Sequence, residues 1–172
     1  MKNSEVIVYT SGSWDLFHVG HLNIIEKSKS YGTKLIVGVS SDELIASYKG
    51  VKPVIPFEER KRIIEALKVV DMVVRQDVLT DINQLKEFDV DVVTIGDDWE
   101  HKYLEGLEWM KEQGKTVIYL PYTKGVSTTG IKKDIILNSQ KIIEAAIDRE
   151  IMNMDDYDNK LSESYIAKKH IK

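Results

Sequence analysis

The chain has 172 residues, with 24 Lys plus Arg against 28 Asp plus Glu, a formal net charge of -4. That length favours one domain, with room for an appendage, and the mild acidic balance argues against a general nucleic-acid binder, whose domains are usually basic. The absence of cysteine excludes a disulfide framework, a thiolate metal site and a cysteine nucleophile. The N-terminal MKNSEVIVYT lacks the long apolar stretch of a signal peptide, and no run approaches the roughly 18 apolar residues of a membrane span. The expectation is a soluble cytoplasmic protein without a membrane or nucleic-acid partner.

In chain order, Val6 to Tyr9 reads as a short strand ending at Ser11-Gly12-Ser13. A helix follows from about Gly20 to Tyr31, with Leu22, Ile25 and Lys29 at helical spacing and Gly32 as the stop. Leu35 to Val39 is the second strand, and Ser41-Asp42-Glu43 opens a short helical segment. Tyr48 to Pro56 reads as a loop with two prolines and Gly50. Phe57 to Val70 reads as a helix and Met72 to Val74 as a strand. Asp81 to Phe88 is helical, Val90 to Ile95 is a strand ending at Gly96, and Tyr103 to Gln113 is helical. Thr116 to Leu120 is the last strand, and a helix begins at Thr128. Val- and Ile-rich strands alternating with helices define an α/β fold with a doubly wound parallel sheet. In such a sheet ligands bind beyond the carboxyl ends of the strands. The division expected is 1-138 as the main domain and 139-172 as a C-terminal helical extension. In that extension Ile142, Ile143, Ala146 and Ile147 make an apolar stripe. A polar, weakly ordered end then follows Asp155-Asp156, closing at Lys168-Lys169-His170.

The segment Gly12-Ser13-Trp14-Asp15-Leu16-Phe17-His18-Val19-Gly20-His21 carries the strongest chemical signal. His18 and His21, three apart where a helix begins, face the same way, and Gly20 between them permits close approach of a ligand. Free amides at a helix start bind phosphate oxygens, and two imidazole donors beside them suit a phosphoryl group gaining a fifth oxygen. The pair is also compatible with surface or metal-binding histidines. Thr123-Lys124-Gly125-Val126-Ser127-Thr128-Thr129-Gly130 is an N-cap signature and a second possible phosphate cradle. It is not a Walker A loop, because Ile131 stands where lysine must follow the second glycine. Lys49 to Pro53 forms a cationic loop able to close over a triphosphate, or simply a solvated one. Arg60 on the third helix is a possible bidentate phosphate donor. Gly96-Asp97-Asp98-Trp99 sits at a strand end, either as a plain turn or with carboxylates for a base amino group.

Taken together and in this order, GSWDLFHVGH, YKG followed by PFEERKRIIEALKVVDMVV, IGDDWEHKY and YLPYTKGVSTTGIKKDI resemble the cytidylyltransferase family, from about Val6 to Ile136. The likeness is greatest to its branch acting on glycerol 3-phosphate. The resemblance implies a Rossmann-like nucleotidyltransferase fold and transfer of CMP from CTP to a small phosphorylated alcohol, with release of pyrophosphate. It implies catalytic roles for His18, His21, Lys49 and Arg60. It implies nucleotide contacts for Gly12, Ser13, Trp14, Asp15, Gly20, Gly96, Asp97, Asp98, Trp99, Thr123, Gly125, Val126, Ser127, Thr128 and Thr129. Asp15 would in addition buttress the first loop. The implied cofactor is Mg²⁺ accompanying the nucleotide, with no protein metal site of its own. The implied assembly is a homodimer with the V-D-M-V-V region near its interface, and the implied setting teichoic acid or capsule synthesis.

One position departs: Tyr122 stands where the family carries arginine, with Lys124 or Lys132 as possible substitutes for that charge. The related sugar-phosphate adenylyltransferases also lack that arginine and carry a loop similar to Lys49 to Pro56. Adenylyl transfer to a sugar phosphate, or cytidylyl transfer to phosphocholine or phosphoethanolamine, therefore stand as alternatives.

Overall fold

The computed structural model describes the backbone of residues 5–169 and the side chains of that span up to residue 150. Five strands, β1 (Ile7–Gly12), β2 (Lys34–Ser40), β3 (Met72–Gln76), β4 (Val92–Gly96) and β5 (Thr116–Leu120), form one parallel sheet in the order β3-β2-β1-β4-β5. Strand β1 is central: Val8 is in register with Leu35 on one side and Val92 on the other. The chain winds outward from β1 through β2 to β3, then returns to place β4 on the other flank of β1. That reversal opens a crevice at the carboxyl ends of β1 and β4.

Alternation along the strands feeds two apolar layers. Val8, Leu35, Val37 and Val39 pack with Ile25 of α1 (Val19–Lys29) and with Phe57 and Ile64 of α3 (Phe57–Glu65). Tyr9, Ile36, Val93 and Ile95 pack with Leu85 of α4 (Ile82–Glu87) and with Leu107 and Met110 of α5 (Glu105–Glu112). Helices thus cover both faces of the sheet, the doubly wound architecture the sequence pattern implies.

Two of the expected helix boundaries move. Helix α2 (Asp42–Lys49) extends into the expected loop, capped by the Ser41 hydroxyl at its start and by left-handed Gly50 at its end. Helix α3 stops at Glu65 rather than Val70. By Asp71 the chain already belongs to the sheet, since Asp71 donates its amide to the Leu35 carbonyl and its carboxylate accepts the Leu35 amide. The intervening residues are needed to turn.

Helix α6 runs from Thr128 to Lys169. The division expected at residue 138 falls inside it, and the chain separates into compact units at Thr128 and Thr129. No glycine or proline occurs after Gly130, so nothing in the sequence breaks the helix. The polar segment after Asp155-Asp156 is helical to Lys169; His170 lies outside the described residues. No described helix is long and apolar enough to cross a membrane.

Candidate active site

The loop between β1 and α1 builds the centre of the site. Trp14 and Leu16 both hold positive φ, 53° and 49°, a conformation costing about 1–3 kcal/mol for side chains of this size. Trp14 is held there by burial and by its indole N–H, which donates to the Gly38 carbonyl at 2.9 Å. Gly12 is required beneath it, because a Cβ there would stand 3.0 Å from the Trp14 ring. Trp14, expected against the nucleotide, instead braces the site, its ring edge-on to His21 at 5.5 Å.

His18 is the N-cap of α1, and its Nδ1 accepts the Gly20 amide at 3.1 Å. A neutral imidazole that accepts at Nδ1 carries its proton on Nε2, so His18 keeps an N–H donor. The same bond consumes the Gly20 amide, and the His21 amide is taken by the His18 carbonyl. The first turn therefore offers fewer free amides than expected, and the imidazoles become the main donors. His21 stacks on His18, ring centroids 3.8 Å apart and planes inclined by 19°. Gly20 serves this packing: a Cβ would lie 2.9 Å from the His18 ring and 3.1 Å from Val126.

Burial lowers the pKa of both rings. For His21 the neighbouring His18 and Lys49 add to the effect, bringing it to about 4. Its Nδ1 is the one buried side-chain polar atom among the described residues left without a hydrogen-bond partner. Two neutral, desolvated imidazoles at the crevice are thus primed for an anion, whose charge would favour their protonated forms.

Asp15 is buried, and its Oδ1 accepts the amides of Val54 and Ile55 at 3.0 Å each. It ties the segment after α2 to the first loop rather than facing a ligand. Lys49 is the last residue of α2, not a loop residue, and its Nζ reaches the Ser13 hydroxyl at 3.3 Å.

Arg60 departs most from expectation. It is completely buried. Its Nε donates to the Ile55 carbonyl and its terminal nitrogens to the carbonyls of Ser13 and Ser40 and to Asp42 Oδ1. With its fork spent on protein acceptors, Arg60 fastens the loops after β1 and β2 to α3 and presents nothing to a phosphate in this structure.

At the end of β4, Asp97 to Trp99 form a single 3-10 turn. Asp98 accepts the Tyr122 hydroxyl at 3.0 Å, and Gly96 makes room for it, since a Cβ would lie 2.7 Å from that oxygen. Burial and the nearby carboxylates push the Tyr122 phenol far up, so it stays a proton donor. Trp99 is half-buried, with Tyr48 edge-on at 6.4 Å and the Lys102 ammonium 4.4 Å from its ring centre. Asp97 is exposed. After β5, Thr123 accepts the Asn23 side-chain amide at 2.9 Å, Gly125 adopts a left-handed φ of 83°, and the Thr128 hydroxyl donates to the Asp15 carbonyl at 2.9 Å. Ser127 is exposed just before α6, and Thr129 is exposed as its second residue.

Asn23, Tyr48 and the buried Gln76, bonded to Ser40 and Ser11 at the strand ends, were not singled out from sequence. Position at or after a strand's carboxyl end is the one signal that pointed to Gln76. No cluster of three or more His, Asp or Glu side chains among the described residues could hold a metal ion.

A doubly wound sheet with stacked histidines at its switch point, flanked by hydroxyl and carboxylate loops, is the arrangement of a nucleotidyltransferase. The description "Cytidylyltransferase-like" belongs to the family model that matches residues 9–134, and the chain belongs to that family. It is 41% identical over 129 residues to a glycerol-3-phosphate cytidylyltransferase from Bacillus spizizenii, covering 74% of this chain and 95% of that protein. It is 34% identical to a bifunctional protein HldE from Koribacter versatilis over 74% of this chain but 26% of the other. Among solved structures, a lipopolysaccharide core biosynthesis protein from Thermoplasma volcanium matches with TM-score 0.57 at 26% identity, covering 72% of this chain and all of that one.

Proposed function

We propose that this enzyme transfers CMP from CTP to glycerol 3-phosphate, giving CDP-glycerol and pyrophosphate. The observation that carries the reading is the stacked His18–His21 pair in the loop that follows the central strand β1, with His18 Nδ1 taken by the Gly20 amide. The identity to glycerol-3-phosphate cytidylyltransferases over nearly their whole length supports the choice of substrates.

In this mechanism a phosphate oxygen of the acceptor attacks the α-phosphorus of CTP in line. The bond from that phosphorus to the bridging oxygen breaks, and pyrophosphate leaves with the bonding electrons. The attacking oxygen is already anionic, so no strong general base is needed. Catalysis is positioning and charge stabilisation. The imidazoles donate to the α-phosphoryl oxygens as negative charge accumulates there, and Lys49 supplies a nearby cation. Ser127 supplies a hydroxyl for the departing phosphates, and Asp97 and Trp99 take the cytosine and ribose. Magnesium enters only as the companion of the nucleotide's phosphates; the described residues do not form a site for it alone, and no step is assigned to it. The protein would act in the cytoplasm, as a homodimer, to feed a polymer such as teichoic acid or capsule.

Tyr122 in place of the family arginine favours a second reading, in which the same machinery transfers AMP or accepts another phosphorylated substrate. Pyrophosphate release, with CTP and ATP crossed against glycerol 3-phosphate, phosphocholine, phosphoethanolamine and sugar phosphates, separates the two. Turnover confined to CTP with glycerol 3-phosphate supports the first. Turnover confined to another pair moves the substrates and keeps the chemistry.

A further inference from the structure

Gln76 ends the edge strand β3 and lies buried at the carboxyl end of the sheet. A buried carboxamide is costly unless both its ends are paired. Its Oε1 accepts the Ser40 hydroxyl at 3.0 Å, and its Nε2 donates to the Ser11 hydroxyl, also at 3.0 Å. The sheet's own hydrogen bonds tie β3 to β2 alone. Ser11 belongs to β1, two strand spacings or about 10 Å across the sheet. Gln76 therefore reaches past its neighbouring strand to join three strand ends.

The backbone carbonyl of Gln76 also accepts the Ser41 amide at 2.9 Å, and Ser41 is the N-cap of α2. One residue thus grips both elements that lead to the proposed donors. From Ser11 the chain passes through Gly12 and Ser13 to His18 and His21. From Ser41 it runs the length of α2, about 12 Å, to Lys49. The two paths meet again where the Lys49 Nζ reaches the Ser13 hydroxyl at 3.3 Å. The result is a closed ring, with Gln76 on one side and the Lys49–Ser13 contact on the other. A helix held at its start acts as a lever, so a tilt at Ser41 is carried to Lys49.

We infer that Gln76 is a positioning residue: it fixes the start of α2 against the histidine loop and thereby sets where Lys49 stands relative to His18 and His21. This inference rests on the roles proposed above for Lys49 and the histidines, and not on which substrates are used.

Gln76→Met keeps the length of the side chain, removes both its hydrogen-bonding ends and leaves the carbonyl bond to Ser41 in place. Assayed with the nucleotide and acceptor that the wild-type protein turns over, it should lose roughly tenfold to a hundredfold in kcat, the order expected of a misplaced catalytic group. The same change made in Lys49→Met should cost less than about twofold, because the group it positions is already gone. Ser11→Ala cuts the same ring more gently; it should show the same pattern with a smaller loss, and it carries the test if Gln76→Met does not fold. Ser28→Ala removes a buried hydroxyl bonded to Thr94, outside the ring; its kcat should stay at the wild-type value, which controls for a general loss of stability. Wild-type kcat in Gln76→Met, or an equal loss with and without Lys49, would overturn the inference. Failure of CMP transfer to glycerol 3-phosphate is seen in the wild-type protein alone, and the comparison then runs on the pair that protein does use.

Discussion

The His18 and His21 rings stack at 3.8 Å because His18 turns its Nδ1 inward to cap the Gly20 amide. One hydrogen bond thereby caps the helix and leaves Nε2 as the donor of the neutral ring. His18→Ala and His21→Ala should each lower kcat by roughly 10²–10³-fold, the usual cost of removing a donor to a charge that develops in the transition state. The His18 change should also cost about 1 kcal/mol of stability through loss of the cap. Steady-state kinetics and thermal unfolding on the same samples separate the two effects.

Gly20→Ala tests the packing directly. The added methyl must displace the His18 ring or Val126, so kcat should fall by at least tenfold while KM for the nucleotide moves little. A variant with wild-type kcat would show that the ring tolerates displacement.

Arg60 should behave as a structural residue. Its removal leaves Asp42 and the carbonyls of Ser13, Ser40 and Ile55 without their donor. Breaking a buried ion pair of this kind costs roughly 3–5 kcal/mol. Urea unfolding of Arg60→Ala should show a loss of that order. A stable variant whose sole defect is in nucleotide KM would return Arg60 to the phosphates.

These cases mark what the sequence discloses. The strand–loop–helix order, the H-x-G-H pair and the G-D-D-W turn are local patterns, and each falls at a strand's carboxyl end as expected. The buttressing role implied for Asp15 is the one found, but the roles of Trp14 and Arg60 were not legible, and the partners of all three are distant in sequence. Trp14 bonds Gly38, Asp15 bonds Val54 and Ile55, and Arg60 bonds Ser13 and Ser40. A motif says that a residue belongs to the site; only tertiary geometry says whether it faces the ligand or holds the loop that does. The C-terminal segment was read as a helical extension; that it continues the helix begun at Thr128 without a break was not, although no glycine or proline follows Gly130.

Acid should destabilise the fold through His21. Its folded pKa, about 4, lies below the unfolded value near 6.5. Above the unfolded value both states are neutral there, and the group has no effect. As pH falls from about 6.5 toward 4, the unfolded chain takes up a proton that the folded one refuses, and stability is lost. The loss reaches at most about 3 kcal/mol. Urea unfolding at pH 7 and pH 4.5 should show it, and His21→Gln should reduce the difference.

Tyr122→Phe removes the hydroxyl that holds Asp98. If the G-D-D-W turn takes the cytidine, this change should raise KM for CTP severalfold and leave kcat nearly unchanged. Kinetics at saturating acceptor measure both.

The central claim is CMP transfer to glycerol 3-phosphate, and ³¹P NMR of the protein with CTP, glycerol 3-phosphate and Mg²⁺ tests it most directly. The account predicts that the triphosphate and monoester signals decline together as pyrophosphate and the diphosphodiester of CDP-glycerol appear in equal amounts. Unchanged CTP and glycerol 3-phosphate, or CTP hydrolysed with the acceptor untouched, would contradict it.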